Sequence, residues 1–225
     1  MLERYVLPKQ SAAELEFVPD RAWWRFAQRF NVRAQQYLPA IRLHGDQSEG
    51  LMMRWGLISA SEECRPESVP PPTVAVDEIL TSPRHREPWY NGQRCIVPVA
   101  GFYTWQLTAE NYRRPWFVAL PDRSAFGLAG IWDRSQGEDE DVIESFSIIC
   151  VRANELMREI ANTSRSMPAI LKRRDYATWV RGTPAEAMAA IGAYPPEGML
   201  AYAVSPRINS VSADDPALIR PVSLS

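Results

Sequence analysis

Side chains able to hold a metal, a nucleophile or a proton near neutrality are few in this chain. It has two histidines, His44 and His85, and three cysteines, Cys64, Cys95 and Cys150. A Ser-His-Asp or Cys-His catalytic group would have to take one of those two histidines as its base. His44 precedes Gly45-Asp46, and His85 stands in Ser82-Pro83-Arg84-His85-Arg86, so both read as exposed turn residues. The cysteines are odd in number, widely spaced and without a CxxC pair, which points to neither a disulfide framework nor a zinc site. Phosphate-cradling glycine loops, HExxH and GxSxG are all missing from the chain. No metal and no cofactor is expected.

The surrounding composition is that of a globular protein, 225 residues long with 46% hydrophobic and 23% charged residues. That excludes a disordered chain or a coiled coil, and supplies enough core to fold without staples. No apolar run approaches the ~20 residues of a membrane span. The opening Met1-Leu2-Glu3-Arg4-Tyr5 is charged where a signal peptide is apolar, so the expected location is cytoplasmic. A net charge of −2 gives no global pull toward nucleic acid. Every basic residue but Lys9 and Lys172 is arginine, a bias that suits phosphate binding but that a GC-rich genome explains more simply.

Strand-like runs bounded by Gly, Pro or Asp cover 37–43, 51–57, 94–98, 102–107, 116–120, 125–132 and 145–151. Helices are expected in three places. Asp20 is placed to cap one carrying Trp23, Trp24, Phe26, Ala27 and Phe30. Asp175 opens another with Tyr176, Trp179 and Val180. Thr183-Pro184-Ala185-Glu186 is a capping box, and Gly192 ends its helix. The proline-rich stretch 59–73 and the acidic stretch 134–141 read as surface loops. Strands at the centre and helices at the ends imply an α+β fold with a mixed or antiparallel sheet, as one domain over 1–225.

A series of short blocks then carries a resemblance. They include Met1-Leu2-Glu3-Arg4-Tyr5, Phe30-Asn31-Val32, Met53-Arg54-Trp55-Gly56-Leu57, Gly101-Phe102-Tyr103-Thr104-Trp105, Ala153-Asn154-Glu155-Leu156 and Met167-Pro168-Ala169. In order and spacing the chain resembles the SRAP family, the SOS-response-associated peptidases or abasic-site-processing proteins. The resemblance implies a barrel-like core flanked by helices and, as partner, single-stranded DNA carrying abasic sites. It also implies a chemistry. A cysteine after the initiator methionine offers its α-amine to the sugar aldehyde, and its thiol closes a stable thiazolidine. A glutamate, a histidine and an asparagine assist.

This chain departs from the family at each of those places. Leu2 stands for the cysteine and Thr104 for the glutamate. Val74 stands for the asparagine, and Ala161 or Ser164 for the histidine. No catalytic position is intact. Trp55, Trp105 and Phe102 read as core, and Cys95 as an inert buried thiol. Arg4, Asn31, Arg42 and Arg54 are polar side chains inside apolar blocks. They fit either phosphate contacts in a DNA-facing cleft or internal hydrogen bonds. Three functions therefore stay open: a degenerate binder of single-stranded or damaged DNA, an imine-forming lyase using the Met1 α-amine, or a protein-interaction module on the inherited fold.

Overall fold

A computed structural model describes residues 2–59, 70–136 and 141–223. Its first half runs β1 (Arg4–Leu7), α1 (Gln10–Phe17), β2 (Arg21–Ala22), β3 (Arg29–Arg33), β4 (Tyr37–His44), β5 (Gln47–Trp55), β6 (Thr73–Ala75) and α2 (Pro83–Tyr90). There follow β7 (Arg94–Val99), β8 (Gly101–Leu107), β9 (Arg113–Ala119), β10 (Phe126–Gln136), β11 (Val142–Arg152), α3 (Glu155–Ile160) and β12 (Ser166–Pro168). The chain closes with α4 (Tyr176–Arg181), α5 (Pro184–Ala190) and β13 (Leu200–Ala203). The fold is α+β. Among the described residues no helix is long and apolar enough to cross a membrane.

Two sheets carry the architecture. One has the order β13-β9-β8-β1-β3, and the other runs β12-β11-β10-β7-β4-β5-β2. In the second, β5 returns to pair in parallel with β11 at Ser145↔Arg54 and Phe146↔Trp55. The strands β11-β10-β7-β4-β5 thereby close on themselves as a barrel, which leaves no free edge along that path. Residues 145–151 of β11 are buried throughout, so this strand is covered on both faces.

The helix expected after Asp20 does not form. The Asp20 carboxylate instead accepts from the Ser48 N–H and hydroxyl at 2.7 and 2.8 Å. That seats β2 parallel to β5, with Ala22 opposite Gly50. Trp24 then lies flat over Gly50, where any Cβ would come within 2.8 Å of the indole. Its fixed place against a strand, not a helical stripe, accounts for the aromatic spacing. Trp23 turns outward to solvent.

Three helices lie where none is expected, α1, α2 and α3. Pro83 occupies the first turn of α2, and the Ser82 hydroxyl lies 3.0 Å from His85 Nδ1. His85 is thus a buried helical residue, not an exposed turn, because Ser82-Pro83 starts a helix. Arg94, on β7, ties three elements together. Its guanidinium donates to the carbonyls of Trp89, Trp179 and Gly182 and lies over the Trp89 ring. The capping box at the start of α5 forms as expected, with Thr183 Oγ1 accepting from the Glu186 N–H and Glu186 Oε2 from the Thr183 N–H. The acidic stretch is shorter than expected: β10 continues to Gln136, paired with Val142 of β11. Its residues 137–140 lie outside the described residues, as do Cys64 and most of the proline-rich stretch.

Candidate functional site

Three of the four family positions converge. Leu2 reaches the pocket from two residues before β1, Thr104 from β8, and Ser164 from the turn between α3 and β12. Tyr103, Cys150 and Met157 are among the other residues of its wall. The placement follows from the sheets, since β1 pairs with β8 at Tyr5↔Phe102 while β11 pairs with β12 at Cys150↔Pro168. Of the two alternatives for the histidine position, Ser164 lines the pocket with Leu2, whereas Ala161 is buried at the end of α3 and does not line it. Val74 belongs to the core of β6, opposite Ile149, and does not line the pocket.

The pocket is nearly filled. Leu2 is 4% exposed, and the free space among the lining residues is about 10 Å³. That is room for one water at most. The Ser164 hydroxyl sits beside Ser166, 3.2 Å from its carbonyl and 3.3 Å from its hydroxyl. Neither Ser164 nor Thr104 offers a group that titrates near neutrality.

The pocket holds one thiol that the sequence reading did not single out, Cys150. Burial pushes its pKa up to about 11, although the Leu2 N–H and the Thr73 hydroxyl are directed at the sulfur. At neutral pH it is a protonated thiol and a poor nucleophile. Cys95 is also buried, and burial raises its pKa further still. Trp55, Phe102 and Trp105 all belong to the core.

The four polar candidates part company. Arg4 is half-buried and donates to Asn31 Oδ1 at 2.8 Å. Asn31, 3% exposed, sends its amide N–H groups to the carbonyls of Ser210 and Ala213 at 3.0 and 2.8 Å. Asn31 therefore links β3 to the C-terminal segment and orients Arg4. Arg42 is built into the barrel. Its side chain is 7% exposed, 2.7 Å from Glu144 Oε1, 3.9 Å from Glu49 Oε2 and 4.4 Å above the Trp132 ring centre. Arg54, on β5, is intermediate in exposure and forms no ion pair among the described residues. No group of three or more potential metal ligands occurs among the described residues.

A two-sheet core with these blocks in this order is the SRAP architecture. The family model for SOS response associated peptidase (SRAP) matches residues 1–211, and the chain belongs to that family. Among its relatives is the abasic site processing protein YoqW of Bacillus subtilis (strain 168), 25% identical over 207 residues, with 91% of this chain and 89% of the relative covered. Another is the abasic site processing protein HMCES of Pongo abelii, 27% identical over 241 residues, covering 89% of this chain and 67% of the relative. An X-ray structure of a Bacteroides thetaiotaomicron protein matches with a TM-score of 0.80 at 28% identity, over 86% of this chain and 85% of that one. A Bordetella bronchiseptica protein matches at 0.79 and 21% identity, over 91% of this chain and all of the other, a likeness of fold.

Proposed function

We propose that this SRAP-family protein binds DNA containing abasic sites but no longer cross-links to it. The observation that carries the reading is the meeting of Leu2, Thr104 and Ser164 in one nearly filled pocket. In the chemistry the family resemblance implies, an amine and an aldehyde condense to an imine with loss of water. A thiol then adds to the imine carbon, its proton passing to nitrogen. Leu2 has no sulfur for the second step. Thr104 and Ser164 have pKa values far above neutrality and cannot shuttle the protons of the first. Cys150 does not take over the role, because burial keeps it protonated.

DNA contact in this reading falls to Arg4 and Arg54, with Asn31 holding Arg4 in place. Arg42 is left out, its charge being met by Glu144 and Glu49. The test is incubation with a labelled single-stranded oligonucleotide bearing one abasic site. The expected result is binding that weakens as salt rises, with no adduct surviving heat and denaturant. A heat-stable adduct overturns the reading. An adduct seen only after borohydride reduction, and lost when the Met1 amine is acetylated, replaces it with an imine-forming lyase. Absence of any salt-sensitive DNA binding replaces it with a protein-interaction module.

A further inference from the structure

A second cleft shares no residue with the Leu2 pocket. It has a volume of about 280 Å³ and lies where α4 packs against β4 and β7. Its floor is apolar: Phe17 from α1, Ile41 from β4, Ile96 from β7 and Val180 from α4. Gly127 lets these side chains pack against its backbone, since a Cβ there would press within 2.5 Å of the Ile96 side chain and 3.1 Å of the Tyr176 ring. Three guanidinium-bearing residues, Arg173, Arg174 and Arg181, form the rim.

The rim's charge is only partly answered within the chain, where the Asp20 carboxylate lies within electrostatic reach of Arg181. Arg174 has only an exposed contact of 3.7 Å with Asp175, and neither Arg173 nor Arg181 has a carboxylate at ion-pair distance among the described residues. The one acidic group in the lining, Glu16, is occupied: it accepts from Arg123 at 2.6 Å and from the Tyr176 hydroxyl at 3.1 Å. A protein of net charge −2 thus concentrates positive charge around a small apolar hole.

From this we infer that the cleft is a docking site for an acidic peptide that inserts one large apolar side chain, with its carboxylates held by Arg173, Arg174 and Arg181. Three observations favour a peptide. At about 280 Å³ the space falls at or below the low end of the roughly 300–1,000 Å³ of small-molecule sites, so it suits a single anchoring side chain. Guanidinium forks match carboxylate geometry, two bonds to each group. The aromatic rings of the cleft, Phe17 and Tyr176, pack on each other at 5.2 Å, so they do not present a free stacking platform for bases.

The experiment uses the full chain and fluorescence anisotropy with a labelled probe of three aspartates followed by leucine and a C-terminal phenylalanine. Controls are the same peptide ending in alanine, one with lysines for the aspartates, and a single-stranded oligonucleotide. Binding is expected to the first probe, weakened at least tenfold by the alanine ending, by the lysine replacement or by the double variant R173E/R181E, with the circular dichroism spectrum unchanged. A smaller variant, Ala177→Trp, fills the hole while sparing the rim and is expected to weaken the same probe. Failure of the acidic probe to bind at millimolar concentration overturns the inference. So does binding that R173E/R181E leaves intact, or oligonucleotide binding that the same variant abolishes. Sedimentation that shows a dimer of the wild-type chain dissociating in R173E/R181E also overturns it, assigning the cleft to a second copy.

Discussion

Arg4 and Arg42 begin from the same sequence description, an arginine inside an apolar block, and end in opposite circumstances. Arg4 lies at the margin of the five-stranded sheet, half-buried, with a neutral amide as its partner. Arg42 lies in the barrel, stacked on Trp132 and paired with two carboxylates. The partner chemistry makes the difference. A neutral amide orients a guanidinium and leaves its charge available to a phosphate. Carboxylates in a low-dielectric site consume that charge and make it part of the fold.

The largest expected effect follows directly. Arg42→Ala should lower unfolding stability by about 3 kcal/mol, because Glu144 and Glu49 lose their shared buried counter-charge and Glu49 keeps only the half-exposed Arg21 at 4.0 Å. Glu144 keeps only Arg134, which is 57% exposed. Urea denaturation measures the loss. Replacing Arg42 and Glu144 together by methionine and leucine should recover most of it. If the double replacement is no better than the single one, the pair is not the source of the cost.

Asn31→Ala comes next. It removes the amide that ties β3 to residues 208–213 and that orients Arg4, at about 1–3 kcal/mol for carbonyls left unmatched. Hydrogen exchange should quicken across 208–213 before the barrel strands respond. Uniform quickening would mean that Asn31 holds the whole fold and not its C-terminal segment.

Arg4→Ala should change stability by less than about 1 kcal/mol and act on DNA binding instead, lowering the slope of log K against log salt by about 1. Arg42→Ala, measured where it is still folded, should leave that slope alone. Equal slopes for both variants would erase the contrast between the two arginines.

What could be read in advance tracks what local chemistry decides. The strands of the barrel and the capping box at Thr183 were legible because apolar runs end in glycine or proline and because Thr183 and Glu186 satisfy each other within one turn. The false helix after Asp20 arose because Trp24 and Phe26 have helical spacing, while the deciding feature, bare backbone at Gly50, lies more than twenty residues away. Helix α1 has no side-chain cap to announce it. At the site, Leu2 and Thr104 were readable as candidates, and of the alternatives Ser164 and Ala161 only Ser164 lines the pocket. Cys150 was not readable. Its strand is buried from 145 to 151 on both faces, so no alternation reveals which way a side chain points.

The same burial argument applied to Cys150 gives the smallest and most specific expectation. With its pKa raised from the ordinary 9.0 to about 11, the folded protein holds the proton more tightly than the unfolded chain. Its contribution to stability is complete below pH 9.0 and declines as pH rises through about 11. Cys150→Ser, which does not ionise in this range, should therefore lose less stability than wild type between pH 9 and 10.5, compared by urea midpoints. Alkylation by iodoacetamide in the folded state should be slow at pH 7 and accelerate only toward pH 10 and above. Rapid labelling of Cys150 at neutral pH would mean an accessible thiolate beside Leu2, and with it a nucleophile in the pocket that the Arg4 half of the molecule could present to DNA.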